Sequence, residues 1–141
     1  MYDAVTSRFE EMDVLVMAAA VADYRPVTVA SDKIKKKDGD LSIPVERTAD
    51  ILGTIGPKRP TSPLRFSMET RDMVENSTAK LTRKNLDMVV ANNLKVAGAG
   101  FGVDTNVVTF ITPDGTRELP LMSKADVADA ILDEILKRRG L

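Results

Sequence analysis

The sequence predicts an α/β domain: a three-layer, Rossmann-like arrangement around a mostly parallel sheet, closed by a C-terminal β-hairpin. Three observations lead there. Short, continuously apolar blocks such as Val14-Leu15-Val16-Met17 and Met88-Val89-Val90-Ala91 have the pattern of parallel strands covered on both faces. Segments with helical spacing of apolar residues alternate with these blocks, as βαβ connections require. Near the C-terminus, Pro113-Asp114-Gly115 separates two strand-forming runs and marks a hairpin.

The elements follow in order. Tyr2, Val5, Phe9 and Met12 recur at helical spacing and form one apolar stripe. The first strand is expected from about Asp13 to Ala18. Residues 27–47 are polar and lysine-rich, with an alternating piece at Leu41–Val45, and suggest a mobile loop or hairpin. Thr48 is placed to cap a short helix bearing Ile51, Leu52 and Ile55, which Gly56-Pro57 ends. Pro60 to Pro63 reads as a turn and Leu64–Met68 as a second strand ending at Glu69-Thr70. A helix from about Asp72 to Lys84 carries Met73, Ser77 and Leu81 on one face. Leu86–Ala91 is the third strand, ending in Asn92-Asn93. Asn106–Thr112 and Arg117–Leu121 are the hairpin strands. Ser123 caps a last helix with Val127, Ile131 and Ile135 in one stripe. The first strand would need neighbours on both sides, and few strands are available, so an N-terminal part of the domain is expected to be missing.

Bulk properties exclude much. The chain has 141 residues, enough for a single domain (1–141) with a real core, and 43% hydrophobic and 29% charged residues. A net charge of −1 gives no global attraction to nucleic acid or anionic membrane, and 4% aromatics leave little for base stacking. With neither cysteine nor histidine, disulfides, thiolate or imidazole metal sites and Ser-His-Asp chemistry are ruled out for these residues. Chemistry must come from lysine, arginine, carboxylates, amides, backbone groups or a bound cation. No apolar run approaches a membrane span and no signal peptide opens the chain, so the expected location is cytoplasmic.

The first strand empties into Met17-Ala18-Ala19-Ala20-Val21-Ala22-Asp23-Tyr24-Arg25-Pro26, followed by Lys33-Ile34-Lys35-Lys36-Lys37. Small side chains admit a ligand close to the backbone, cations suit phosphate, and the carboxyl edge of an α/β sheet is where ligands bind. Close packing of a helix explains the alanines equally well; Asp23 and Arg25 favour a ligand. Asp23 can accept from a sugar or base, or bind a cation. Most of the lysine run is a solvated loop, and Lys33, beside Ile34, is the member chosen to reach a phosphoryl or carboxylate group. Lys80 and Lys84 share a helical face, where an anion between them would relieve repulsion; an exposed cationic last turn fits the spacing as well. Gly98-Ala99-Gly100-Phe101-Gly102 fails as a dinucleotide fingerprint, because its last glycine comes early and a strand follows. Asn92-Asn93 either stabilises a turn or lines the same cleft.

In order, Ala18–Pro26, Lys33-Ile34-Lys35-Lys36, Phe66-Ser67-Met68-Glu69-Thr70, Lys80–Asn85, Val90-Ala91-Asn92-Asn93 and Gly100–Asn106 resemble bacterial phosphopantothenoylcysteine synthetase, the phosphopantothenate–cysteine ligase of coenzyme A biosynthesis. The resemblance covers essentially the whole chain. It implies a Rossmann-related homodimer that uses CTP and Mg2+ to join 4'-phosphopantothenate to cysteine through an acyl-cytidylate, often fused to a flavin-dependent decarboxylase. It further implies that Met17, Ala18, Ala19 and Asp23 contact the nucleotide, Phe66 flanks the base, Lys80 and Lys84 bind the triphosphate, and Lys33 is the catalytic lysine. Arg47-Thr48-Ala49 departs from the family's Lys-Asn-Pro, and Asn93 replaces an aspartate.

The family's glycine-rich opening strand and its Asn-bearing Ser-Ser-Gly-Lys-Met-Gly stretch have no counterpart here. The chain is therefore expected to be the C-terminal portion of the ligase domain, holding much of the nucleotide pocket but inactive alone. Two other classes compete with the enzyme reading: a non-catalytic nucleotide-binding module, and a dimerisation unit joined through the Asn106–Leu121 hairpin.

Overall fold

In the computed structural model, the structure describes residues 1–36, 38–57, 64–69, 73–93, 95–100 and 102–141, with backbone alone at 64–69 and 73–76. The Pro60–Pro63 turn, Lys37, Thr70, Asp72 and Phe101 lie outside the described residues, as do the side chains of Phe66 and Met73.

A five-stranded sheet forms the centre: β1 (Val14–Met17), β4 (Leu64–Glu69), β5 (Met88–Asn92), β7 (Val108–Thr112) and β8 (Gly115–Glu118), side by side in that order. β1 pairs with β4 and β4 with β5 in parallel; β5 with β7 and β7 with β8 run antiparallel. Two small antiparallel sheets stand apart: β2 (Tyr24–Pro26) with β3 (Val45–Arg47), and β6 (Thr105–Asn106) with β9 (Met122–Ser123). The expected mostly parallel sheet is thus corrected to a mixed one. The tight hairpin can only pair β7 with β8 antiparallel, and β7 enters the sheet antiparallel to β5 because no helix among the described residues carries the chain back to the other end of the sheet between them.

Helices cover both faces. Leu15, Met17, Val89, Ala91 and Ile111 turn to one side, where they meet Phe9, α2 (Ile51–Ile55) through Ile51, Leu52 and Ile55, and α3 (Met73–Arg83) through Leu81. Met88, Val90, Val108 and Phe110 turn to the other side and meet α4 (Lys124–Arg139) through Val127 and Ile135. The alternation along β5 is the two-residue period of a strand buried on both faces. β1 is less covered: it lies at the sheet's edge and Val16 is 44% exposed, so the expectation of burial on both faces fails there.

Local chemistry moves several boundaries. The N-terminal stripe is not one helix. α1 (Tyr2–Thr6) stops where Thr6 Oγ1 bonds back to Tyr2 O and Arg8 leaves helical geometry, and Phe9–Glu11 forms a separate 3-10 turn that buries Phe9. The cap of α2 is Asp50, whose Oδ1 accepts from Gly53 N at 2.9 Å; Thr48 instead donates to Ala22 O at 2.6 Å. The run Asn106–Thr112 is split because Asn106 Oδ1 accepts from Val107 N, which takes that amide out of the ladder. Ser123 and Asp126 form the capping box that starts α4. In the β7–β8 hairpin, proline's fixed φ forbids the primed turns, so the link closes through Thr112, whose hydroxyl accepts from Asp114 N and donates to Gly115 O.

α3 ends in a Schellman arrangement: Leu86 N bonds to Leu81 O, Asn85 N bonds to Thr82 O, and Asn85 takes φ +51°. Leu81 and Leu86 both enter the core, completing the motif's apolar contact. This end packs tightly on α2, because a Cβ on Gly56 would stand 2.7 Å from Lys84 O, and Asn85 Nδ2 donates to Gly56 O at 3.2 Å.

Candidate functional site

Because β1, β4 and β5 are parallel, their carboxyl ends share one edge of the sheet. That edge is stepped. Met17 is level with Ser67, and Ser67 with Val89, so β5 continues three residues beyond the end of β1, a step of roughly 10 Å at 3.3 Å per residue. The alanine turn leaves β1 into this step. Its small residues suit such a position, since bulky side chains there would fill the recess.

Met17 is buried in the core, whereas Ala18, Ala19 and Asp23 are exposed. The turn is folded on itself by Val21 N donating to Ala19 O at 3.0 Å. It is held at its far end by Thr48, whose N–H donates to Asp23 O at 2.9 Å and whose hydroxyl donates to Ala22 O. The Phe66 backbone pairs with Val16 and so stands one residue below Met17 at the same edge. Met17, Ala18 and the Phe66 backbone thus occupy neighbouring positions at one edge of the sheet, and Asp23 lies at the far end of the turn that leaves it.

The lysines are distributed differently. Lys33 is exposed in the segment joining β2 to β3, on the arm that leaves the edge after Asp23. Within the arm, Arg25 pairs with Glu46 at 2.8 Å and Arg47 lies over the Tyr24 ring. Lys84 follows α3, which returns from β4 to the start of β5, so its backbone stands at the amino side of the sheet. Its ammonium nevertheless reaches Asp50 Oδ2 at 2.5 Å, with the side chain only 17% exposed. Asp50 follows Thr48 by two residues, and through that short link Lys84 is tied to the segment docked on Ala22 and Asp23. Lys80, half-buried, lies one turn earlier on α3, about 6 Å nearer the carboxyl edge along the helix axis.

Burial works to raise the Asp50 carboxyl, but hydrogen bonds from Lys84 and Gly53 N, with the positive charges of Lys84 and Arg83, outweigh it and hold its pKa below the ordinary carboxylate value. A Cβ on residue 53 would stand 2.7 Å from Asp50 Oδ2, so Gly53 leaves room for the carboxylate. Sequence reasoning passed over Asp50, although an Asp three residues before a glycine at a helix start is a cap signal. It also passed over Asn106, buried at 6% exposure, whose Nδ2 donates to Asn92 Oδ1 at 2.9 Å. No signal in one sequence links positions 92 and 106.

Among the described residues, no three His, Cys, Asp or Glu side chains come close enough to hold a metal ion. Nor is any described helix long and apolar enough to cross a membrane.

Comparison with known proteins bears on this edge. Residues 1–138 match the family described as DNA/pantothenate metabolism flavoprotein C-terminal domain. The coenzyme A biosynthesis bifunctional protein CoaBC of Bacillus subtilis is 47% identical over 137 residues, which are 96% of this chain and 34% of that protein. The chain thus spans about a third of the length of such relatives. The crystal structure of the C-terminal domain of a CoaBC superposes with a TM-score of 0.76 at 40% identity, covering 99% of this chain and 63% of that one. A Cab2 mutant in complex with phosphopantothenate-cysteine shares the fold, with a TM-score of 0.72 at 18% identity, over 96% of this chain and 48% of that one. The chain belongs to the DNA/pantothenate metabolism flavoprotein C-terminal domain family and corresponds to the C-terminal part of CoaBC.

Proposed function

We propose that this chain is the C-terminal portion of a phosphopantothenate–cysteine ligase that uses CTP, and that it holds the nucleotide at the stepped carboxyl edge. One observation supports the reading: in a member of this family, the alanine turn and the Phe66 backbone stand at one sheet edge, and the Thr48–Asp50 segment docked on Ala22 and Asp23 carries the carboxylate that pairs with Lys84. In the first half-reaction the 4'-phosphopantothenate carboxylate attacks the α-phosphorus; a P–O bond forms, pyrophosphate leaves, and an acyl-cytidylate results. In the second the cysteine amine attacks the acyl carbon, CMP leaves with the bonding pair, the amine loses a proton, and an amide remains.

The residues divide the work by position. Met17, Ala18 and Ala19 let the nucleotide approach the backbone, Asp23 accepts from its sugar or base, and Phe66 flanks the ring. Lys80 and Lys84 take the triphosphate, with Lys84 held ready by Asp50. Lys33, on its exposed arm, closes onto the reacting carboxylate and α-phosphate and stabilises the charge that builds there. Mg2+ carried by the triphosphate would shield its charge, with phosphate oxygens supplying most of its coordination.

The exposed apolar residues of the arm, including Val29, Leu41, Ile43 and Val45, support a homodimer. On this reading the ligase reaction needs further chain, supplied in a cytoplasmic protein that also carries a flavin-dependent decarboxylase. Calorimetric titration with CTP and ATP tests the assignment. CTP-selective, Mg2+-dependent binding is expected. Unselective anion binding would indicate a mere phosphate-binding module, and no binding a dimerisation unit.

A further inference from the structure

The segment Thr48-Ala49-Asp50 meets both halves of the proposed nucleotide site. At one end Thr48 holds the alanine turn by consecutive carbonyls: its N–H donates to Asp23 O at 2.9 Å and its hydroxyl to Ala22 O at 2.6 Å. The hydroxyl bond lies outside the β2–β3 ladder, which ends at the Tyr24–Arg47 rung. At the other end Asp50 Oδ2 accepts from Lys84 Nζ at 2.5 Å.

Asp50 itself has little freedom. Its Oδ1 accepts from Gly53 N at 2.9 Å, and its carbonyl accepts from Thr54 N at 3.0 Å and from Thr54 Oγ1 at 2.7 Å. Ile51 and Leu52, which follow it, are buried in the core. α2 is in turn fixed to the end of α3, because Asn85 Nδ2 donates to Gly56 O at 3.2 Å. Between Thr48 and Asp50 stands Ala49, exposed and, among the described residues, without a hydrogen bond. Two residue steps reach at most about 7 Å, so this span offers little slack. A strand-end contact and a helix cap explain each bond singly. They do not explain why the two stand two residues apart and end on the turn and on Lys84.

We propose that Thr48 and Asp50 are positioning residues that act as one brace: they couple the alanine turn to Lys84, so that the nucleoside end and the triphosphate end of the site are ordered together. The proposal rests on the function proposed above, which gives both ends to one ligand, CTP. Neither residue needs to touch that ligand. Groups joined in one hydrogen-bonded network are energetically coupled, and a double-substitution cycle reads the coupling directly.

Calorimetric titration of the 141-residue protein with CTP and Mg2+ tests it, using Thr48→Val, which removes the hydroxyl, and Asp50→Asn, which keeps a helix cap. Each single variant is expected to bind CTP about fivefold more weakly. The double variant should be no more than about twofold worse than the weaker single one, where independent residues would give about twenty-fivefold. Thr48→Ser keeps the hydroxyl and should bind within about twofold of the parent. A second readout needs no ligand. Asp50→Asn should speed hydrogen exchange at the Thr48 amide by about threefold or more, because that N–H bonds to Asp23 O and is protected by it. Effects that multiply in the double variant would overturn the brace, as would unchanged exchange at Thr48. Single variants that bind like the parent, or a Thr48→Ser that binds as weakly as Thr48→Val, would overturn it too. If the parent protein does not bind CTP, the proposed function fails, while exchange at Thr48 still decides whether the two ends are linked.

Discussion

Lys84 and Asp50 meet across the junction of α2 and α3 with Nζ 2.5 Å from Oδ2, while Oδ1 of the same carboxylate accepts from Gly53 N at 2.9 Å. One side chain thus does two jobs: it starts a helix and holds the ammonium at the end of another. On the proposed function, the two remaining N–H donors of Lys84 serve the triphosphate. Part of the entropy of ordering a long side chain is therefore lost on folding rather than on binding.

The pair predicts an acid-sensitive increment of stability. Asp50 has a folded pKa below its unfolded value, so the contribution is present above the unfolded value near 4 and is lost as pH falls through the folded one. Asp50 is more than half exposed, so solvent screening limits the ion pair to under about 1 kcal/mol. Asp50→Asn keeps a good helix cap and removes the charge. Urea unfolding should show this variant destabilised by several tenths of a kcal/mol at about pH 7 and little different from the parent at about pH 2.5. An equal deficit at both pH values would show that the charge plays no part.

Gly56→Ala should be costly for a reason that backbone freedom does not supply, since Gly56 has ordinary helical angles. Its Cβ would meet the Lys84 carbonyl at 2.7 Å and the Leu52 carbonyl at 3.1 Å, both backbone atoms with little room to yield. Separating α2 from α3 would cost about 1–3 kcal/mol, against a helix-propensity gain of about 1 kcal/mol. A net loss of stability in urea titration is expected, and unchanged or raised stability would mean that the two helix ends are not in contact.

The contrast between these positions and the strands shows what one sequence can reveal. Val14–Met17, Met88–Asn92 and the β7–β8 hairpin were legible because burial and turn chemistry are written in contiguous residues. The cap at Asp50, the Lys84 ion pair and the Asn92–Asn106 pair were not, because their partners are far apart in the chain or because two capping residues, Thr48 and Asp50, compete within three positions. The antiparallel half of the sheet was also hidden. Apolar periodicity identifies strands without giving their direction, and only the hairpin's partner was fixed by its turn. At the edge, the alanine turn was visible as composition, but the step that makes it a recess depends on register.

The far edge of the sheet offers a test of buried charge. Glu134 is 9% exposed at its side chain and accepts from Arg138 Nε at 2.9 Å and from Arg117 at 3.3 Å; Arg138 also reaches Asp114 at 3.1 Å. Arg117 stays 58% exposed and also lies over the Phe110 ring. Removing the closer, better-buried partner leaves Glu134 largely uncompensated. Arg138→Met is therefore expected to cost about 2–3 kcal/mol and Arg117→Met about 1 kcal/mol or less. Equal losses in urea unfolding would contradict this division.

Lys33 allows function and stability to be separated most cleanly. It lies exposed on the arm between β2 and β3, away from the two core clusters. Lys33→Ala should then leave the melting temperature within about 1 °C of the parent, as surface changes usually do. In the longer enzyme, CTP-dependent amide formation should lose about 10²–10³-fold in kcat, the usual effect of deleting one group that stabilises transition-state charge, with CTP affinity changed less than about threefold. Lys84→Met should behave in the opposite way, weakening CTP and lowering stability together because it also strips Asp50 of its partner. If Lys33→Ala instead weakened CTP at unchanged turnover, the arm would serve binding alone, and charge stabilisation would have to come from another group at the stepped edge.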